Sequence, residues 1–204
     1  MEVLFESKGT RIDYFEENGV AYVRKTVKGR FAHLMAAHEV KVLERLKGVK
    51  GVQELVRQDS PVSFISVFVE GETLREREGK EIPEDTFEKL RHILREIHSR
   101  GVADPDFAHS VDIIITPSGE PVVIDLASSI VLEGGKITSW FKLPVFKYIK
   151  QLNLKYLEKR KARYLPHLMT EAEREQAEEV GIGPKLALYW RKLGRQLKKY
   201  PTLR

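Results

Sequence analysis

The sequence has 204 residues, of which 42% are apolar and 32% are charged, and it contains no cysteine. This length and composition suffice for a hydrophobic core and exclude extensive disorder, while the lack of cysteine excludes disulfides, thiolate metal sites and cysteine nucleophiles. The net charge of +5 is unevenly distributed, because residues 1–135 hold 18 basic and 24 acidic residues whereas residues 136–204 hold 17 and 6. An acidic front and a basic tail favour two units with different roles.

The first 48 residues predict three strands followed by a helix. Residues 2–6 form a short apolar strand, and residues 10–27 form two strands joined at Asn18-Gly19. Asn-Gly between alternating apolar residues is the strongest short signal for a β-hairpin. Residues 31–47 are rich in alanine, leucine, glutamate and lysine, which predicts a helix that ends near Gly48.

The middle of the chain predicts two strands and a second helix. The strands are expected at residues 52–56 and 62–70, and Gly71 ends the second one. Residues 86–100 predict a helix, since their apolar side chains recur with helical spacing and Gly101 follows. The apolar stripe of this helix consists of Phe87, Leu90, Ile93, Leu94 and Ile97.

A loop, a hairpin and a basic helical region complete the chain. Residues 102–111 show no periodicity and are expected to be a loop, with His98 of the preceding helix packed beneath it. Residues 112–116 and 121–125 are apolar and flank a Pro-Ser-Gly turn, which predicts a hairpin. Gly134-Gly135 is the expected boundary before the basic region. Further helices are expected near residues 140–150, 151–163, 170–180 and 184–198.

Four charged residues stand at the ends of these elements or beside them. Lys25 ends the third strand, Glu39 lies on the first helix, Asp106 lies in the loop, and Asp125 follows a buried strand. Taken singly, the first two suit a solvated surface, and Asp106 suits a turn. Asp125 is different, because a carboxylate directly after a continuous apolar strand is costly unless it is paired or bound to a metal.

The order and spacing of these residues resemble the protein-kinase-like superfamily. The segment AYVRK resembles the strand that carries the nucleotide-binding lysine, and HEVKVLERL resembles the helix that carries its glutamate partner. FVEGETL resembles the hinge, and the segment from LREIHSRG to VVIDLASS resembles the catalytic loop and the metal-binding aspartate. The resemblance covers about residues 3–130 and is best to small atypical bacterial kinases, the lipopolysaccharide-kinase-like and RIO-like groups.

This resemblance implies a bilobal α+β fold and ATP- and Mg²⁺-dependent phosphotransfer to a hydroxyl group. The small lobe would be an antiparallel sheet with one helix at residues 1–70, followed by a mainly helical lobe. That second lobe would comprise a core at residues 71–135 and a basic helical extension at residues 136–204. The acceptor would be a lipopolysaccharide core sugar or a protein serine or threonine.

The resemblance also implies a role for each site residue. Lys25, fixed by Glu39, would hold the phosphates of ATP, and the backbone around Glu70 and Glu72 would meet the adenine. Asp106 would orient the acceptor hydroxyl and accept its proton. The metal ligands would be Asp125 and, in a catalytic loop one residue longer than usual, Asp112.

Several departures from the kinase pattern keep other functions open. Asp104-Pro105 replaces the usual His-Arg, Leu126-Ala127 follows the metal-binding aspartate, and Gly9 is the only glycine between the first two strands. These departures suit a pseudokinase that acts as a scaffold. A third hypothesis is that the aromatic, basic tail binds an anionic membrane surface or RNA, although no recognised nucleic-acid motif is present.

The sequence also bears on location. The N-terminus has no basic region followed by an apolar one, and no stretch approaches about 18 apolar residues. We therefore expect a cytoplasmic protein, with the basic tail available for peripheral contact at the inner membrane face.

Overall fold

The computed structural model describes residues 1–107, 111–132 and 136–178. Its N-terminal part, called the N-lobe below, is a five-stranded antiparallel sheet covered by one helix. The strands lie in the order β1-β2-β3-β5-β4, and the helix α1 packs against β3, β4 and β5. The elements of the N-lobe are β1 (Glu2–Glu6), β2 (Thr10–Glu17), β3 (Val20–Val27), α1 (Ala32–Arg45), β4 (Leu55–Ser60) and β5 (Ser63–Val67).

The β2–β3 hairpin turns where the sequence predicts it. Asn18 and Gly19 both have a positive φ, 53° and 76°, and Glu17 pairs with Val20 across the turn. A two-residue turn with positive φ at both central positions matches the right-handed twist of the flanking strands. This turn sets the register of β3 against β2, which places Lys25 opposite Ile12, and on the other side of β3 Lys25 lies opposite Phe64 of β5.

The C-terminal part, called the C-lobe, consists of helices and two small sheets. The central helix α2 packs against β7, β9 and the long helix α3. The β8–β9 hairpin is the one predicted at residues 112–125, and β6 adds to its edge, while β7 pairs with β10. The elements are β6 (Glu72–Thr73), α2 (Thr86–Ser99), β7 (Val102–Ala103), β8 (Ile113–Ile115), β9 (Pro121–Val123), β10 (Ile130–Val131), α3 (Lys136–Tyr164), a 3-10 turn (Pro166–Leu168) and α4 (Glu171–Glu178).

The predicted apolar stripe of α2 is the centre of the hydrophobic core. All five of its residues are buried, and the cluster around them includes Leu43 and Leu46 of α1 as well as Ile113 and Val123 of the β8–β9 hairpin. Burial of each such side chain stabilises the fold by about 1.5–3 kcal/mol. The core therefore fixes α1 and the hairpin relative to each other, and these are elements that carry candidate site residues.

One predicted strand and two predicted helices are wrong in their bounds. The strand predicted at 52–56 is instead β4, Leu55–Ser60, because Val52 and Gln53 pair with Val123 of the C-lobe rather than with the N-lobe sheet. The two helices predicted at 140–150 and 151–163 are one helix, α3, which contains Pro144. The proline lies in the interior of α3, where it removes one backbone hydrogen bond, and the helix continues through it.

Other expectations are met or lie beyond the part that the structure describes. The helix predicted at 170–180 is α4, and its capping box is present, since Thr170 N donates to Glu173 Oε2 and Glu173 N donates to Thr170 Oγ1. The helix predicted at 184–198 and the boundary at Gly134-Gly135 lie outside the described residues. Of the helices that the structure describes, none has the length and apolar character to cross a membrane.

Candidate functional site

Lys25 links the two lobes through a pair of carboxylates. Its Nζ lies 2.7 Å from Glu39 Oε1 on α1 and 2.7 Å from Asp125 Oδ1, just after β9. Glu39 shares the buried face of α1 with Ala36 and Leu43, and this face packs on β3. The structure thus brings together three residues that the sequence predicts at one site.

Burial and the neighbouring charges shift the pKa of both partners of this ion pair. The Glu39 side chain is only 4% exposed, and its burial raises the pKa of the carboxyl group to about 6 although Lys25 opposes the rise. Burial would by itself lower the pKa of Lys25, but the carboxylates of Glu39 and Asp125 outweigh that effect and raise it. Lys25 is therefore a fixed positive charge in the cleft between the lobes.

Asp125 occupies a backbone conformation that side chains seldom adopt. Its φ is +55°, in the left-handed region, which costs on the order of 1 kcal/mol for a non-glycine residue. Its side chain is 49% exposed and points toward Lys25. Ile124 N donates to Asp112 O, so the ladder of the β8–β9 hairpin holds Asp112 beside Asp125. Such a conformation at the end of a buried strand makes Asp125 a candidate for a functional role.

A small cavity gathers four aspartates at this end of the hairpin. It is lined by Asp104, Asp106, Asp112 and Asp125, together with apolar residues that include Leu126. Burial raises the pKa of Asp112 to about 7, and the neighbouring carboxylates of Asp125, Asp104 and Asp106 add to the rise. The cavity is thus a region of concentrated negative charge that a cation would relieve.

The donor set of this cavity fits Mg²⁺ rather than zinc. Mg²⁺ prefers oxygen ligands, is often bound by one or two carboxylates, and keeps several waters. Asp112 and Asp125 supply carboxylate oxygens in that number. Within the described ranges there is no group of three or more histidine, aspartate or glutamate side chains arranged to hold a metal on their own. These two residues could hold Mg²⁺ together with substrate phosphates, and their role as metal ligands stays a prediction.

The raised pKa of Asp112 predicts a stability penalty in the absence of a bound cation. Between its ordinary pKa of 3.8 and about 7, the folded chain binds the proton more tightly than the unfolded chain does. Stability from this group is present at low pH and is lost as the pH rises through 7. In Mg²⁺-free buffer at pH 8 we therefore expect Asp112→Asn to raise Tm by about 2–5 °C. Differential scanning calorimetry at pH 4 and pH 8 measures this.

At pH 4, close to the ordinary pKa of 3.8, most of the difference between Asp112→Asn and the wild type should be lost. Addition of Mg²⁺ and ATP at pH 8 should then stabilise the wild type more than the variant. Glu120→Gln, at the exposed turn of the same hairpin, is the matched control and should change Tm little. A lower Tm of Asp112→Asn at pH 8 in Mg²⁺-free buffer would contradict the assignment.

The predicted hinge lies where the chain passes between the lobes. Gly71 has a φ of +148°, and a Cβ there would lie 2.3 Å from Ile115 O, so only glycine fits against β8. The Glu70 side chain is exposed, and the Glu72 carboxylate is held by Lys80 and Arg77. Contact of the Glu70–Glu72 backbone with adenine stays a prediction.

Asp104, in the sequence a departure from the kinase pattern, has hydrogen-bond partners that the sequence did not predict. Asp104 is buried, and its carboxylate accepts hydrogen bonds from Asp106 N at 2.7 Å and Ser129 Oγ at 2.8 Å. Ser128 Oγ donates to Asp106 Oδ2 at 3.1 Å. One feature of the sequence could have indicated these partners. Ser128-Ser129 directly follows Asp125-Leu126-Ala127, and the folded hairpin brings both serines within hydrogen-bond distance of the loop.

Comparison with known proteins finds similarity in structure. No protein-family model matches the sequence, and no curated protein matches it. Two crystal structures of the Rio2 kinase from Chaetomium thermophilum are similar, one of them a complex with ADP, Mg²⁺ and phosphoaspartate. Each has a TM-score of 0.63 and 16% sequence identity, and each alignment covers 89% of this chain and 62% or 64% of the Rio2 chain.

These comparisons confirm the predicted fold class. The chain has the protein-kinase-like fold, with an antiparallel N-lobe sheet, one N-lobe helix and a mainly helical C-lobe. It spans less than two thirds of the length of the Rio2 chains. The finer resemblance to lipopolysaccharide kinases, the lobe boundaries at residues 70 and 135, and the role of each site residue stay predictions.

Proposed function

We propose that this chain is an atypical kinase, which transfers the γ-phosphoryl group of ATP to a hydroxyl group with the aid of Mg²⁺. The observation that carries the proposal is the convergence on Lys25 and on one cavity. Lys25 Nζ contacts both Glu39 and Asp125, and Asp125 shares its cavity with Asp106 and Asp112. Phosphoryl transfer requires a fixed cation, carboxylates that can hold Mg²⁺, and a further carboxylate near them.

Each residue has a task in the reaction that follows from its surroundings. Lys25, held at the end of its stem by buried Glu39, would bind phosphate oxygens as a point charge. Asp112 and Asp125 would hold Mg²⁺, which neutralises phosphate charge when it is bound. Asp106 would orient the acceptor hydroxyl and take its proton as the acceptor oxygen bonds to phosphorus. The bond from the γ-phosphorus to the bridging oxygen breaks, and ADP leaves with that electron pair.

The acceptor class rests on the resemblance to small atypical bacterial kinases. It would be a lipopolysaccharide core sugar or a protein serine or threonine, and the chain would act in the cytoplasm, with its basic tail at the inner face of the membrane. Residues 136–204, with 17 basic and 6 acidic residues, have the charge to approach an anionic acceptor or lipid headgroup.

The experiment that tests the proposal measures binding and turnover separately. Thermal shift of the full chain with ATP, with and without Mg²⁺, reports binding, since a ligand of the folded state raises Tm. Release of ADP from Mg²⁺-ATP, with the chain, casein and purified lipopolysaccharide each as acceptor, reports turnover. We expect a Mg²⁺-dependent rise in Tm and release of ADP with at least one acceptor.

Other results would favour the two remaining hypotheses. A Mg²⁺-dependent rise in Tm without ADP release favours a pseudokinase, and the departures at Asp104-Pro105 and Leu126-Ala127 suit that outcome. No nucleotide effect on Tm, together with binding of the chain to anionic vesicles or RNA, would overturn the kinase proposal. Activity would then lie in the basic tail.

A further inference from the structure

We propose that Asp104 is a positioning residue for Asp106, and that it acts through a buried hydrogen-bond relay which also reaches the helix carrying Glu39. The inference rests on the proposed function, since it explains how that function survives without the usual His-Arg before the candidate base. Asp104 occupies the position of that histidine. The Asp104 side chain is therefore a candidate to replace that histidine in positioning Asp106.

Asp104 holds the backbone of Asp106 in place. The residue is 2% exposed, and its Oδ1 accepts a hydrogen bond from Asp106 N at 2.7 Å. Such a bond to a charged acceptor is short and stronger than a neutral one. It fixes the peptide group next to the Asp106 side chain, which in turn accepts from Ser128 Oγ.

Asp104 itself is anchored to the C-lobe. Its backbone oxygen accepts from Asn153 Nδ2 on α3 at 2.6 Å, and Asn153 is fully buried. Asn153 Oδ1 in turn lies 3.0 Å from His98 Nε2 on α2. The sequence predicts that His98 packs beneath the loop, and it does so through Asn153. Two helices thus fix the position from which Asp104 acts.

Hydrogen bonds also connect Asp104 to α1. Its Oδ2 accepts from Ser129 Oγ at 2.8 Å, and Ser129 O lies 2.7 Å from His38 Nε2. His38 is the residue before Glu39, so the same helix carries the partner of Lys25 and an end of the relay. The relay links the lysine–glutamate pair of the N-lobe to the loop that carries Asp106.

The energetics favour a positioning role over simple packing. Burial of a carboxylate is costly, and burial raises the pKa of Asp104 to about 6. Both carboxylate oxygens accept hydrogen bonds, one from the loop and one from the segment after Asp125. A residue that only filled space would be apolar, whereas this geometry uses two acceptors on one side chain to join two segments of the cleft.

The test compares variants that keep or remove the two acceptors. Asp104→Ala removes both, while Asp104→Asn can still accept from Asp106 N and can donate to Ser129 Oγ, because the hydroxyl turns. Ser129→Ala removes the second bond alone and tests the relay if Asp104→Ala does not fold. Asp59→Ala is the control, since Asp59 Oδ1 also accepts from a serine hydroxyl, Ser63 Oγ, but lies in β4.

We measure kcat and KM for ADP release from Mg²⁺-ATP, the Mg²⁺ dependence of the rate, and hydrogen exchange of the Asp106 amide. Asp104→Ala should lower kcat about 100-fold, the order expected when a reacting group is misplaced, and leave the KM for ATP within about threefold. Its Asp106 amide should exchange faster. Asp104→Asn should restore most of both properties, Ser129→Ala should be intermediate, and Asp59→Ala should match the wild type.

Each contrary outcome overturns a particular statement. An active wild type with unchanged kcat and amide exchange in Asp104→Ala overturns the inference alone. A weakened Mg²⁺ dependence with unchanged kcat at saturation would make Asp104 a metal ligand instead of a positioning residue. A wild type that releases no ADP with any acceptor overturns the proposed function, and the inference falls with it.

Discussion

Asp125→Asn is expected to abolish the Mg²⁺-dependent part of ATP binding while the chain stays folded. The substitution removes the negative charge of the residue that lies between Lys25 and the acidic cavity. The fold should tolerate it, because asparagine accepts a φ of +55° at least as well as aspartate and the side chain is half exposed. The ligand set for Mg²⁺ loses a carboxylate, and Lys25 loses one of its two partners.

The thermal shift that checks this prediction has a definite size. At ATP concentrations of about 100 times Kd, binding stabilises a folded chain by about 2.7 kcal/mol, or about 5–10 °C for this length. In Asp125→Asn the Mg²⁺-dependent part should fall below about 1 °C. Asp85→Asn is the matched control, since Asp85 is another exposed carboxylate that pairs with a lysine, Lys89, and it should keep the wild-type shift. An undiminished shift in Asp125→Asn would overturn its assignment as a metal ligand.

The same variant should also change the acidity of its neighbours. The carboxylate of Asp125 raises the pKa of both Glu39 and Asp112, so its neutralisation should lower both values. The pH-dependent loss of stability that Asp112 causes should therefore shift to lower pH in Asp125→Asn. Unfolding curves recorded from pH 4 to pH 8 in Mg²⁺-free buffer provide this measurement.

Local sequence signals predicted the elements of the fold well where chemistry restricts the backbone. Asn18-Gly19 permits a two-residue turn, and the apolar period of α2 leaves one face to bury. The signals failed where long-range pairing decides. Val52 and Gln53 look like a strand of the N-lobe, yet they pair with Val123 across the lobes, and nothing local distinguishes the two partners.

The candidate site shows the same division between local and long-range information. Lys25, Glu39 and Asp125 could be selected because each charge stands at the end of an apolar element or beside one, and the kinase resemblance supplied their order. The partners Ser129 and Asn153 could not be selected. Serine and asparagine carry no charge, and their importance follows only from contacts with Asp104 across 25 and 49 residues of sequence.

Burial raises the pKa of two carboxylates of the site, Asp112 and Asp104, but their surroundings differ. Asp112 is destabilised by burial and by its acidic neighbours, which suits a group that is relieved when a cation arrives. Asp104 is buried but satisfied by two donors, which suits a group that never leaves its place. A cluster of acids in one cavity can thus combine a site for a ligand with the framework that supports it.

Asp106→Asn is expected to leave nucleotide binding intact and to stop turnover. The substituted residue keeps its backbone bond to Asp104 and can still accept from Ser128, so the loop should hold its shape. The amide cannot take the proton of the acceptor hydroxyl, and loss of a general base lowers kcat by about 10²–10⁴-fold. ADP release and the Mg²⁺-ATP thermal shift, measured on one preparation, separate the two effects.

The contrast between Asp106→Asn and Asp125→Asn decides whether the two carboxylates divide binding and chemistry. Asp59→Asn, remote from the cavity in β4, should match the wild type in both measurements. Unchanged kcat in Asp106→Asn would remove Asp106 from the reaction and transfer the search for a base to Asp104, which is buried and already holds two donors. Loss of the thermal shift in Asp106→Asn would place Asp106 among the metal ligands, because a residue that only accepts a proton does not contribute to ground-state binding.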